Sequence, residues 1–224
     1  RLAAGAMEGL PEIVKQNCVI AGGAVVNILL GRTAPLNDID FFMHGNLPND
    51  QAVKVAEALI KHVGRKAIDF QMDDDEYDFL DLDLVLPESR FPHYRTFIPE
   101  SEGVLAVRTR SALTLTGAHP DFPHLQLVLR MHKSPAEVLA SFDLLACQAL
   151  YNPHTRKVEV TRGMLRALQT RVCIVDPSRQ PDFPLYSGIY EARMLKYVDK
   201  GFALCFPGLE PKLQVPVPAD GEGL

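Results

Sequence analysis

The stretch V-I-A-G-G-A-V-V-N-I-L-L-G-R-T-A-P-L-N-D-I-D-F-F-M-H, residues 19–44, organises the chain. Val19, Ile20 and Ala21 read as a buried approach strand, Gly22-Gly23 as a turn, and residues 24–30 as a short helix. A breaker segment, 31–35, then leads into a strand carrying Asp38 and Asp40. Successive strand side chains point to opposite faces, so the two aspartates project together while Ile39 and Phe41 turn into the core. Neighbouring carboxylates repel each other, and folding alone gives no reason to pair them. A hard divalent cation such as Mg²⁺ (or Mn²⁺) removes that conflict, because it binds through one or two carboxylates together with substrate phosphates. The glycine turn at a helix start offers backbone N–H groups to a phosphate.

The order is a Gly22-Gly23 turn, a short helix, then Asn37-Asp38-Ile39-Asp40-Phe41. It resembles the DNA polymerase β-like nucleotidyltransferase superfamily, whose pattern is G-[GS], a short helix and h-D-h-D-h. Two later stretches, K-S-P-A-E-V-L-A-S-F-D-L-L-A-C-Q (133–148) and Y-E-A-R-M-L-K-Y-V-D-K-G-F (190–202), are similar to minimal nucleotidyltransferase-like proteins of viruses and fungi. The likeness covers roughly residues 15–208. It implies an α/β (α+β) fold: a small mixed sheet with flanking helices, followed by a mostly helical C-terminal part. It also implies metal-dependent transfer of a nucleoside monophosphate from an NTP to a hydroxyl, with release of pyrophosphate. In that family two strand carboxylates and a third from a neighbouring strand hold the metals. Here Asp38 and Asp40 match the first two, and Gly22, Gly23 and Asn37 fall where the triphosphate is held. Asn37 and Asn27 read equally well as turn or cap residues.

The third carboxylate has more than one candidate. The strand at 124–130 offers Gln126 where an acid is expected. Asp143 enters an otherwise apolar run, where an unpaired buried charge is costly, and the resemblance points to the same position. A second D-x-D, Asp81 and Asp83 in Y-D-F-L-D-L-D-L-V-L, competes with it, although no glycine turn precedes that strand and it also reads as a strand with one solvent-facing side. With no third acid, binding without catalysis is left: an inactive nucleotide-binding or scaffolding module of a larger protein. Arg193, Lys196 and Lys200 lie at i, i+3 and i+7, a basic stripe that faces a triphosphate or simply balances Glu191 and Asp199 in solvent.

Composition narrows the class. In 224 residues, 47% are hydrophobic and the net charge is −5. That balance fits a globular domain with a real core and argues against nucleic-acid binding by bulk electrostatics. Cys18, Cys147, Cys173 and Cys205 are scattered without a C-x-x-C pair, and read as buried thiols of a cytoplasmic or otherwise reducing compartment, with neither a zinc site nor a disulfide framework. No apolar run is long enough to span a membrane. A chain that starts at Arg1 is expected to be a piece of a larger multidomain protein. The acceptor hydroxyl, on a nucleic-acid end, a protein or a small molecule, is left open.

Along the chain, 1–152 reads as the core, 153–208 as a helical subdomain and 209–224 as an irregular tail. Residues 50–63 have amphipathic helical spacing closed by Gly64, and 66–72 read as a strand. Residues 73–76 read as an acidic loop and 90–101 as another loop. Residues 104–115 and 124–130 read as two strands of a hairpin. Ser134-Pro135-Ala136-Glu137 carries a cap, an N1 proline and an S-x-x-E box. Residues 161–170 and 187–200 read as helices around a Pro-rich loop at 176–184, the second stopped by Gly201.

Overall fold

The structure, a computed structural model, describes residues 6–73, 95–97, 104–109, 111–117, 122–175 and 187–207. The candidate pair Asp81 and Asp83, the acidic run beyond residue 73, the Pro-rich loop at 176–184 and the tail at 209–224 lie outside the described residues.

The described helices are α1 (Glu12–Asn17), α2 (Gly23–Leu29), α3 (Asn49–Asp73), α4 (Pro135–Ala140), α5 (Arg162–Thr170) and α6 (Ser187–Val198). The described strands are β1 (Cys18–Ala21), β2 (Asp38–His44), β3 (Arg95–Phe97), β4 (Val104–Arg108), β5 (Ala112–Gly117) and β6 (His124–His132). They continue with β7 (Ala149–Asn152), β8 (Lys157–Val160), β9 (Val172–Ile174) and β10 (Ala203–Cys205). Eight strands form one mixed sheet in the order β3-β4-β5-β6-β2-β1-β7-β8, while β10 and β9 pair separately. Only β2 and β6 run parallel within the large sheet; its other pairs are antiparallel. The α/β class expected from the sequence is the class observed.

Alternation along β2 divides its side chains as the pattern requires. Ile39 and Phe41 are 2% and 0% exposed, whereas Asp38 and Asp40 face the other way. The core on the Ile39 side joins Leu113, Leu115, Leu125 and Leu127 from the sheet to Val55, Leu59 and Val63 of α3. Truncating Phe41 to alanine there would cost about 3–5 kcal/mol. β1 is buried on both faces, because Val19 and Ala21 meet Val138 and Leu139 of α4 on the second side. α4 is capped as its sequence dictates: Glu137 N–H donates to Ser134 Oγ, and Glu137 Oε2 accepts from the N–H of Lys133.

Several expectations are corrected. The helix at 50–63 does not close at Gly64; α3 runs on to Asp73, so the strand expected at 66–72 is helical. A single interior glycine weakens a helix by only about 1 kcal/mol, which neighbouring turns outweigh. Residues 95–97, read as loop, form the edge strand β3. The single strand at 104–115 is two, β4 and β5, because Thr109 Oγ1 accepts from the N–H groups of Ser111 and Ala112 and folds a turn between them. Cys205 is exposed; Cys18, Cys147 and Cys173 are buried, and all four are free thiols. Among the described residues, no helix is long and apolar enough to cross a membrane.

Candidate functional site

Gly22 begins the site. It has φ +81° and ψ −137°, a conformation that favours glycine, and its N–H donates to the carbonyl of Ala149. This turn redirects the chain from β1 into α2 and places Gly22 close to β2: a Cβ there would lie 3.5 Å from the Phe142 ring and 3.9 Å from Asp40 Oδ2. Asp38 and Asp40 therefore open onto the glycine turn. The cleft between β2, α2 and α6 has a volume of about 250 Å³. Its lining includes Gly22, Gly23, Asn37, Asp38 and Asp40 together with Arg193, Lys196, Tyr197 and Lys200.

The two carboxylates differ in surroundings. Asp38 is exposed at the strand's start, whereas Asp40 is more deeply set. Burial, and then the charge of Asp38, push the Asp40 carboxyl up to about 6, against a weaker opposing pull from Lys196. A pair of hard oxygen donors in electrostatic conflict suits Mg²⁺ or Mn²⁺, so the residues present fit the implied cation. Among the described residues no group of three or more His, Cys, Asp or Glu side chains comes together to hold a metal.

A cationic wall, Arg193, Lys196 and Lys200, belongs to the same cleft. Lys200 is only 8% exposed; its ammonium donates to Asn27 Oδ1 and, at 3.3 Å, to the carbonyl of Gly23. It sits 5.5 Å from the centre of the Tyr197 ring, a cation–π contact. Burial lowers the Lys200 pKa, and the nearby charges of Lys196 and Arg32 lower it further. Arg32 is itself fixed, donating to the carbonyl of Asp199 at 2.7 Å. Beside Tyr197, burial pushes the Cys147 thiol up to about 12, so it stays protonated.

Asn37 is held by its backbone, the carbonyl accepting from the N–H of His124 at 2.8 Å. Asp143 does not itself line the cleft but touches a residue that does. Its carboxylate pairs with Arg193, Nη1 lying 3.0 Å from Oδ2 and 3.1 Å from Oδ1, and Oδ1 also accepts from the Leu144 N–H at 2.9 Å. Gln126 is the register partner of Asp40 on the adjacent strand, and its amide donates to Thr114 Oγ1 at 3.1 Å. Sequence reasoning did not assign Tyr197, Cys147 and Arg32 to the site. Their partners lie far along the chain, and the one local signal was the basic stripe that holds Lys200.

A family model described as Gad2, Gabija anti-defense 2 family protein, matches residues 3–171. The chain belongs to the Gad2 family. That match takes in the glycine turn, both strand aspartates and Asp143, and ends before α6. The chain is 26% identical over 202 residues to the mimivirus (Acanthamoeba polyphaga mimivirus) protein "Uncharacterized protein R883", covering 90% of this chain and 38% of that protein. It is similar to a solved tRNA-processing enzyme with CTP, at 18% identity and TM-score 0.49, over 88% of this chain and 43% of that one. It is also similar to the Bacillus stearothermophilus CCA-adding enzyme in complex with CTP, at 16% identity and TM-score 0.45, over 91% and 41%. The chain thus spans less than half the length of each of these relatives.

Proposed function

We propose that the domain transfers a nucleoside monophosphate from an NTP to a hydroxyl acceptor, with pyrophosphate as the other product. The observation that carries this reading is one cleft that gathers two neighbouring carboxylates, Asp38 and Asp40, and three cationic side chains, Arg193, Lys196 and Lys200. A polyphosphate that arrives with a divalent cation satisfies both sets at once. Asp38 and Asp40 would hold Mg²⁺ or Mn²⁺, which neutralises charge on the reacting phosphates. Lys196, Lys200 and Arg193 bind the phosphate oxygens, and the Gly22-Gly23 turn lets the backbone come close to them. Asn37 borders the same end of the cleft. The acceptor hydroxyl belongs to a nucleic-acid end, a protein or a small molecule. The name of the family, Gabija anti-defense 2, supports a role for this domain in countering Gabija defence.

The test is incubation of the purified protein with each α-³²P-labelled NTP and Mg²⁺ or Mn²⁺, following label transfer and pyrophosphate. Wild type is expected to turn over at least one NTP and the D38A/D40A variant none. Full turnover in that variant would refute the reading.

A second reading, nucleotide capture without transfer, is favoured by one observation. The strand position beside Asp40 carries an amide, Gln126, where a third carboxylate would complete a catalytic set. It predicts metal-dependent thermal stabilisation by an NTP with no pyrophosphate formed.

A further inference from the structure

Asp143 and Arg193 lie 50 residues apart, yet one carboxylate and one guanidinium meet at the rim of the cleft. The carboxylate is the inner partner, its side chain 10% exposed against 38% for Arg193. Arg193 lines the cleft and Asp143 does not. Both carboxylate oxygens are engaged, Oδ2 by Arg193 and Oδ1 by Arg193 and the Leu144 N–H together. A carboxylate this deep would have to abandon charge-assisted bonds to serve a cation elsewhere, and would leave the arginine without its partner.

We infer that Asp143 is a positioning residue for the anion-binding wall and not a third metal ligand; the inference rests on the cleft being an NTP site. A free arginine side chain samples many rotamers and loses that freedom when it binds. Asp143 removes that freedom before ligand arrives through its bonds to Nη1, and Nε and Nη2 are the donors a phosphate would take. The same pair ties α6 to the segment just after α4, so Lys196, one turn further along, and Lys200, just past the helix end, are presented to the cleft by the same anchor. The metal site of this chain is accordingly a two-carboxylate site made by Asp38 and Asp40.

The experiment measures NTP affinity and the Mg²⁺ concentration for half-maximal binding by calorimetry or thermal shift, in wild type, D143N, R193Q and D143N/R193Q. The inference expects each single variant to weaken NTP binding about tenfold, the scale of one charged hydrogen bond. It expects the double variant to bind no worse than R193Q, with the Mg²⁺ midpoint unchanged throughout. A raised Mg²⁺ midpoint in D143N, unaltered NTP affinity in D143N, or losses that multiply in the double variant would overturn it. Should D143N fail to fold, the double variant, which strands no lone charge, is compared with R193Q. Equal affinity and equal Mg²⁺ midpoint support the inference, and a raised midpoint overturns it. Wild type binding no NTP would bring down the nucleotide reading and this one with it, whereas wild-type binding with an unaffected D143N brings down this one alone.

Discussion

Asp40 on β2 and Gln126 on β6 stand side by side on parallel strands, and Gln126 gives its amide to Thr114 on β5. The row running from Asp40 across the sheet therefore continues in neutral hydrogen-bonding groups. One substitution converts this arrangement into a three-carboxylate site.

In Q126E a third negative charge joins a position where Asp38 already raises the Asp40 carboxyl. Like charges opposite each other across strands cost about 0.2–1 kcal/mol. The ligand-free variant should melt about 1–4 °C below wild type. Its Mg²⁺ midpoint should fall about tenfold, because added carboxylates tighten a hard-cation site. Melting curves over a Mg²⁺ titration measure both, and an unchanged midpoint would contradict the placement of the cation beside Asp40.

Asp40 also sets a pH dependence. Its folded carboxyl titrates near 6, while in the unfolded chain it returns to the ordinary value of 3.8. The folded form thus holds this proton more tightly, and the stability it contributes is complete below about pH 4 and lost as pH rises through 6. D40N, neutral throughout, should be more stable than wild type at pH 8 without divalent cations. The margin should shrink below pH 5. Denaturant unfolding at pH 4.5 and 8 checks this, and a margin that widens in acid would count against it.

Much of this site was legible in the sequence because its first wall is local. Gly22, Asp38 and Asp40 lie within one short stretch, and the alternation that buries Ile39 and Phe41 forces the aspartates outward together. Ser134 and Glu137 announced α4 for the same reason. What pairs across the chain was not legible. Lys200 meets Asn27 over a separation of 173 residues and Arg32 meets Asp199 over 167, and no periodicity encodes such contacts. Asp143 shows the difference most plainly. An acid in an apolar run announces that it needs a partner, but a cation of the ligand and the guanidinium of Arg193 satisfy that need equally well on paper. The long helix α3 runs on through Gly64 because one interior glycine costs a helix only about 1 kcal/mol, a local signal too weak to mark an end by itself.

The two glycines of the turn should respond differently to alanine. Gly22 has a positive φ that a side chain rarely adopts, so G22A is expected to lose about 1–3 kcal/mol although its Cβ would make only ordinary contact with the Phe142 ring. Gly23 is helical, and its new Cβ would meet Lys200 Nζ at 3.7 Å, an ordinary van der Waals distance. G23A should therefore be neutral or gain up to about 1 kcal/mol by restricting the unfolded chain. Parallel urea melts decide the comparison, and equal losses in both would show that the turn geometry is not what Gly22 supplies.

The cationic wall should hold an anion without any metal. Lys200 is desolvated near Lys196 and Arg32, and its lowered pKa records that the folded protein holds this charge at a disadvantage. An anion entering the cleft relieves it. Inorganic tripolyphosphate at about a hundred times its dissociation constant should stabilise the fold by about 2.7 kcal/mol, a rise of about 5–10 °C in Tm for a chain of this size. K196M/K200M should lose most of that rise, and R193Q part of it. Chloride at matched ionic strength should not reproduce it, because screening lessens the repulsion without supplying phosphate oxygens to bind. An equal rise in K196M/K200M would mean that the anion binds elsewhere and that the α6 wall does not hold the phosphates.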